Sequence, residues 1–221
     1  MELSYWQSKW QKGKIGFHMK DGYPGLARHW ETLQLNNPVT LVPLCGKSKD
    51  LLFLSRNCRK VIGVEISEIA IREFLSENKR KAEESSFGNF KIYRTGNIEI
   101  WHGDFFKLPQ HKLPPLDLIY DKAALIALPP EMRKQYTSKI LELISVNTRI
   151  LLHLFEYRQN EMTGPPFSVP IKEVKKAFEE CFKIEILEKR KLDLNNYKKF
   201  QNRGLHSYFI EILSLLLPKE G

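Results

Sequence analysis

Cysteine is scarce and unpaired: Cys45, Cys58 and Cys181 are the only three, and their spacing suits neither a metal site nor a disulfide framework. A reducing cytoplasm is the simplest compartment for such a chain. Long apolar runs are missing too. The run Ile210 to Leu217 is too short to span a bilayer and is interrupted by Glu211, so it reads as a buried strand. The N-terminal stretch carries Trp6, Lys9, Trp10, Lys12 and Lys14 where a secretion signal would have an apolar core. There is no internal repeat and no low-complexity tract. Acidic residues are the minority, 26 against 35 basic ones for a net charge of +9, a balance that can attract nucleic acid or anionic lipid. The lysines are nevertheless dispersed. The tightest clusters, Lys79-Arg80-Lys81, Lys189-Arg190-Lys191 and Lys198-Lys199, mostly sit beside acids or in predicted loops and read as a solvated face. The 221 residues suffice for one α/β domain with a continuous core.

Glycine is also short at the position where it would be most telling. The stretch Val39 to Glu65 contains a β-branched run, a turn through Leu44-Cys45-Gly46-Lys47-Ser48, an apolar-periodic helix and a second apolar run closing on Glu65. This is half of a nucleotide-binding βαβ unit. Gly46 allows backbone N–H groups close to a ligand at the helix N-terminus, and Glu65 follows it at nearly the spacing of about 20 residues at which an acid meets ribose hydroxyls. A dinucleotide fingerprint needs G-x-G-x-x-G, and this turn has a single glycine. Gly46-Lys47-Ser48 is not a P-loop either, since the first glycine of that motif would fall on Leu41, inside the strand. An adenosine cofactor without phosphates, S-adenosylmethionine, fits the turn. The plain alternative is an ordinary strand-turn-helix in which Glu65 is a solvated strand end.

The remaining segments are read against that centre. Ser4 to Lys12 predicts a helix with Ser4 as N-cap and Trp6 and Trp10 on one face; Gly13 and Gly16 then break it and deliver Phe17. These aromatics make either a hydrophobic flap or a lid over the strand ends. Residues 1–36 are thus predicted as an N-terminal helical lid segment and 37–221 as the core. Tyr23 to Leu35 predicts a second helix striped by Leu26, Trp30 and Leu33. Ser67 predicts an N-cap, Asn78 to Asn89 a polar loop, and Phe90 to Arg94 with Ile98 to His102 a hairpin. Gly103-Asp104-Phe105 ends the third core strand, where Asp104 either meets an adenine edge beside Phe105 or caps its own turn. The fourth strand closes on Asp121-Lys122. A helix from Pro129-Pro130-Glu131 to Val146, a strand from Arg149 to Tyr157, the stiff loop Gly164-Pro165-Pro166-Phe167 and a helix from Ile171 to Cys181 follow. His153 reads as a core or edge histidine rather than a ligand. The runs Phe182 to Leu187 and His206 to Leu216 predict an antiparallel terminal pair. The fold class is α/β: a seven-stranded, mostly parallel, Rossmann-like sheet with helices on both faces.

Five motifs in register carry a family resemblance: Trp6 to His18, Pro43-Leu44-Cys45-Gly46-Lys47, Gly63-Val64-Glu65-Ile66-Ser67, Asp121-Lys122-Ala123-Ala124-Leu125 and Gly164-Pro165-Pro166-Phe167. Together they resemble thiopurine S-methyltransferases over nearly the whole chain. The resemblance implies S-adenosyl-L-methionine as donor and a small aromatic or heterocyclic thiol as acceptor. It further implies that Trp6, Trp10, Leu44, Gly46, Glu65, Asp104, Phe105 and Lys122 bind the donor, and that Phe17, Pro166 and Arg203 meet the acceptor. Lys122 stands where the family usually has arginine, and keeps the charge without the planar fork. Alignment of a thiolate with a sulfonium methyl in a dry pocket asks for no strong base, so no catalytic residue is assigned; Asp121 or Asp21 could accept a proton through water. No metal is expected, and the expected state is a monomer without nucleic-acid or membrane partners. Two alternatives stand beside this reading. One is methyl transfer to halide, selenium or tellurium compounds. The other is a nucleic-acid-binding protein or RNA methyltransferase, which would want a continuous basic stripe with exposed aromatics or an appended module.

Overall fold

The computed structural model describes residues 3–219. In chain order they form α1 (Leu3–Gln11), α2 (Pro24–Arg28), β1 (Val39–Val42), α3 (Asp50–Asn57), β2 (Lys60–Glu65), α4 (Glu68–Glu77), β3 (Glu83–Phe87), β4 (Phe90–Thr95), β5 (Ile98–His102) and β6 (Leu118–Lys122). There follow α5 (Pro130–Leu143), β7 (Arg149–Glu156), α6 (Ile171–Phe178), β8 (Phe182–Lys191), α7 (Lys198–Gln201) and β9 (Ile210–Pro218). The chain divides into two compact units, one ending at Tyr120 and one beginning at Asp121.

In the first unit the strand order is β3-β4-β5-β2-β1, with the start of β6 beside β1. The run β5-β2-β1-β6 is parallel, whereas β3, β4 and β5 form an antiparallel meander. All four residues of β1 are buried, which is why Val39-Thr40-Leu41-Val42 shows no polar alternation. Asp117 fixes the β1 start by accepting the Val39 N–H at 2.7 Å. Beyond the turn, Leu51 and Leu54 of α3 and Ile71 and Phe74 of α4 are fully buried, the apolar stripes expected of crossover helices. The Ser67 hydroxyl caps α4 by accepting the Ala70 N–H at 3.4 Å, and Glu68 stands in the first turn. Gly63 is required inside β2 because the Cys45 sulfur lies 2.8 Å from where a Cβ would be.

In the second unit β7, β9 and β8 form an antiparallel sheet, with a bulge between Ile186 and Glu188. This is the expected terminal pair. Its apolar satellite core joins Tyr157, Met162, Leu205 and Phe209.

The structure departs from the sequence expectations in several elements. α1 starts at Leu3, so Ser4 lies inside the helix rather than capping it. The predicted helix Tyr23 to Leu35 is only the five residues of α2 plus a 3-10 turn at Glu31–Leu33. Leu26, Trp30 and Leu33 are nonetheless all buried, so the stripe reported burial and not one continuous helix. The predicted loop Asn78 to Asn89 contains β3, whose five residues are all exposed and therefore carry no apolar period. With β3 and β4 counted, the described residues hold nine strands instead of seven. His206 lies before β9, which begins at Ile210.

Candidate functional site

Leu44 and Gly46 both adopt left-handed backbone, with φ of 48° and 54°, so the chain doubles back twice between β1 and α3. For Leu44 this is a strained conformation, of the kind that gathers at ligand sites. The turn is bound to the tip of β2 by the Cys45 N–H donating to the Val64 carbonyl at 3.0 Å. Glu65 completes the closure. Its Oε2 accepts the Gly46 N–H and its Oε1 accepts the Ser67 N–H, each at 2.8 Å. The side chain is 5 % exposed, and burial lifts its carboxyl to about 7 against the opposing pull of the backbone N–H groups. A carboxylate so placed keeps a second lone pair on each oxygen, the equipment needed to accept two adjacent hydroxyls.

Trp10 covers this turn. Its indole Cζ2 lies 3.2 Å from where a Cβ on Gly46 would sit, so any side chain there would push against the tryptophan. Trp6 and Trp10 both meet Phe17 edge to face, at 5.4 and 5.6 Å between centroids, and Phe17 is 40 % exposed. The far end of this aromatic segment is fastened as well: Asp50, at the start of α3, accepts the Tyr23 N–H at 2.7 Å and the Tyr120 hydroxyl at 2.9 Å. Lys47, the lysine of the P-loop-like triplet, is buried and paired with Glu73 and Glu77 of α4 at 2.9 and 2.6 Å. Burial opposes its charge, but the two carboxylates hold its pKa above the ordinary lysine value. It braces the turn and is not aimed at a phosphate.

On the neighbouring strand tip, the Gly103 N–H donates to the Glu65 carbonyl at 2.9 Å. Asp104 follows directly and accepts the Phe106 N–H at 3.1 Å, which makes it the cap of its own 3-10 turn. Phe105 is buried, edge-on to Phe106. The first unit thus brings Trp6, Trp10, Phe17, Gly46 and Glu65 together, and places Asp104 and Phe105 on the strand adjacent to Glu65.

The second unit holds the other named residues. Lys122 ends β6, half-buried, between Asp121 and Ala123, whose φ is 68°. Asp121 is buried and accepts the Tyr136 hydroxyl at 2.7 Å and the Ala124 N–H at 2.9 Å, with burial pushing its carboxyl up to about 6. It holds the turn that presents Lys122. The Gly164-Pro165 and Pro165-Pro166 peptide bonds are both cis. Arg203 donates to the Pro165 and Gly164 carbonyls, both at 2.8 Å, and the Tyr157 hydroxyl donates to the Pro166 carbonyl at 2.6 Å. His153 is a buried histidine of β7, 2.9 Å from Glu211. A shallow hollow of about 440 Å³ in this unit, lined by Ile144, Val146, Cys181 and Phe182, contains none of these residues. Among the described residues no His, Cys, Asp or Glu cluster suits a metal, and no helix is long and apolar enough to cross a membrane.

Ser67, Asp50, Tyr157 and Gln159 were not singled out for the site by their local sequence. Only Ser67 carried a signal, as a helix cap; Asp50 acts across 27 and 70 residues, and Tyr157 and Gln159 bind the carbonyls and amides of a loop that carries no periodic pattern.

Comparison with known proteins agrees with this geometry. Residues 1–216 match the family described as thiopurine S-methyltransferase. A thiopurine S-methyltransferase of Pseudomonas fluorescens is 40 % identical over 208 residues, 93 % of this chain and 94 % of that one. One from Teredinibacter turnerae is 43 % identical over 190 residues, 86 % of this chain and 88 % of its own. Among solved structures, an S-adenosylmethionine-dependent methyltransferase of Anabaena variabilis superposes with a TM-score of 0.66 at 14 % identity, over 98 % of this chain and 95 % of that one. The 1,6-didemethyltoxoflavin-N1-methyltransferase of Burkholderia thailandensis, solved with 1,6-didemethyltoxoflavin and S-adenosylhomocysteine, gives 0.64 at 13 % identity over 99 % and 87 %. At such identities the structural likeness is one of fold, and the fold is that of S-adenosylmethionine-dependent methyltransferases. With the family match spanning almost the whole length, the chain belongs to the thiopurine S-methyltransferase family.

Proposed function

We propose that this protein transfers a methyl group from S-adenosyl-L-methionine to the sulfur of small aromatic or heterocyclic thiols. The observation that carries the reading is the buried Glu65 carboxylate, locked onto the Gly46 N–H beneath Trp10 with lone pairs to spare. A glycine-poor turn, a carboxylate sized for a ribose diol and an aromatic cover suit a nucleoside without phosphates.

The donor supplies an electrophilic sulfonium methyl. The protein's contribution is binding, alignment and exclusion of water. Glu65 takes the ribose hydroxyls, Gly46 and Leu44 let the backbone approach, and Asp104 with Phe105 borders the adenine. Trp6 and Trp10 close over the donor, and Phe17 offers its exposed face to the acceptor ring. By family resemblance, Lys122 serves the donor's methionyl end and Pro166 the acceptor, with Arg203 bound to the loop that carries Pro166. The acceptor sulfur attacks as a thiolate, its proton having gone to solvent, so no general base is required.

Isothermal titration with S-adenosylmethionine, followed by a panel of thiophenols and mercaptopurines, tests the reading. Micromolar donor binding with methylated thiol as product is the expected result; failure of the wild-type protein to bind the donor overturns it. Halide, selenite and tellurite in the same panel separate the alternative acceptors. We further propose a cytoplasmic monomer that does not bind RNA or membranes, for which filter binding at low salt is the check.

A further inference from the structure

The loop Gly164-Pro165-Pro166-Phe167 cannot hold itself. Pro165 and Pro166 have no N–H to donate, and Gly164 sits at φ 75°, so the ordinary turn hydrogen bonds are missing where the chain bends. Three successive carbonyls are instead captured by side chains from elsewhere in the unit. Arg203 takes those of Gly164 and Pro165 with two nitrogens of one guanidinium, each at 2.8 Å, and Tyr157 takes that of Pro166 at 2.6 Å. The flank is clamped too: the Phe167 N–H donates to the Ile126 carbonyl at 2.7 Å, and the Ser168 N–H to the Gln159 side chain at 2.9 Å. Arg203 is itself rigidly mounted. Its N–H donates to the Phe200 carbonyl, Leu205 two residues on is in the satellite core, and Glu161 accepts the His206 and Ser207 N–H groups at 3.0 Å each.

We infer that Arg203 is a positioning residue: its forked grip on the Gly164 and Pro165 carbonyls, assisted by Tyr157 at Pro166, sets the shape of the acceptor wall, and it does not contact the acceptor as a free cation. This deepens the proposed function and rests on it. Two carbonyls a residue apart match the planar fork of arginine, whereas a lysine ammonium on its flexible stem cannot hold both in the same geometry.

The test compares wild type, Arg203→Lys, Arg203→Ala and Tyr157→Phe with two acceptors, thiophenol and 2-mercaptobenzoate, and measures S-adenosylhomocysteine affinity in parallel. The expected result is a fall in kcat/KM of about tenfold or more in both arginine variants, equal for the neutral and the carboxylate-bearing acceptor, with donor-product affinity within about twofold of wild type. Methylguanidinium should restore part of the Arg203→Ala activity, and Tyr157→Phe should show the same pattern about threefold in size. A loss confined to 2-mercaptobenzoate, or full activity in Arg203→Lys, overturns the inference. If neither arginine variant folds, Tyr157→Phe decides: an acceptor-independent loss supports the positioning role and unchanged kinetics refutes it. Hydrogen exchange at the Phe167 and Ser168 amides, faster in Arg203→Lys if the inference holds and unchanged if it fails, reads the loop without any turnover. That measurement stands even where the wild type proves to bind no donor, which is the failure of the proposed function itself.

Discussion

Replacing Glu65 by glutamine should separate stability from donor binding in opposite directions. In the folded protein burial raises the Glu65 carboxyl from the ordinary glutamate value to about 7, which corresponds to about 3 kcal/mol of folding free energy withheld at pH 8. The sign follows from proton uptake: between about pH 4.5 and 7 the folded state binds more protons at this residue than the unfolded one, so stability falls as pH rises through that window and levels off above it. Glutamine removes that dependence. It also presents one oxygen and one NH2 to the two N–H groups of Gly46 and Ser67, so one amide loses its acceptor at a cost of about 1–3 kcal/mol. Urea unfolding should therefore place the variant level with or slightly above wild type at pH 8, and below it at pH 5. For donor binding there is no such offset. Two charge-assisted bonds to ribose at about 1.5–3 kcal/mol each predict a loss of at least about 100-fold, read by isothermal titration. In wild type, affinity should weaken about fivefold on going from pH 7 to pH 6, as the ionised fraction of Glu65 falls. Donor binding within about threefold of wild type in the glutamine variant, or the same stability slope with pH in both proteins, would refute the reasoning.

Trp10→Ala should weaken S-adenosylmethionine binding about tenfold while the far-ultraviolet circular dichroism is retained; an unchanged dissociation constant would return Trp6 and Trp10 to a packing role. Gly63→Ala places a methyl 2.8 Å from the Cys45 sulfur and should cost about 1–3 kcal/mol in urea unfolding, most of it recovered by adding Cys45→Ala; additivity of the two changes would contradict the contact. Tyr136→Phe removes a donor to the buried Asp121 carboxylate and should cost about 1–3 kcal/mol at pH 8 but less at pH 5, where that carboxyl is largely neutral in the folded state; equal losses at the two pH values would count against it.

The features legible in the sequence were those written in short-range code. The strand-turn-helix through Gly46, the Ser67 cap and the hairpin at Gly96-Asn97 rest on neighbours a few residues apart, and the two strands of the terminal antiparallel pair each show their own apolar run; the structure contains each of them. Periodicity was a weaker guide where it reported burial alone: Leu26, Trp30 and Leu33 face inward from a broken helix as they would from a whole one. Where a strand is solvated on both faces, as β3 is, there is no pattern to read at all.

The sequence by itself settled that an acid would stand one strand away from a glycine-poor turn, and that an aromatic segment would precede both. Only the tertiary structure decided where that acid points and what holds its surroundings. Glu65 is turned back onto the Gly46 N–H, Asp50 ties Tyr23 to Tyr120, and Arg203 grips carbonyls nearly forty residues earlier in the chain. Such contacts join groups whose own local sequences are indifferent to one another. They form because a buried carboxylate, a carbonyl beside prolines or a desolvated amide must find a partner once folding has removed water, and which partner lies within reach depends on how the whole chain has packed.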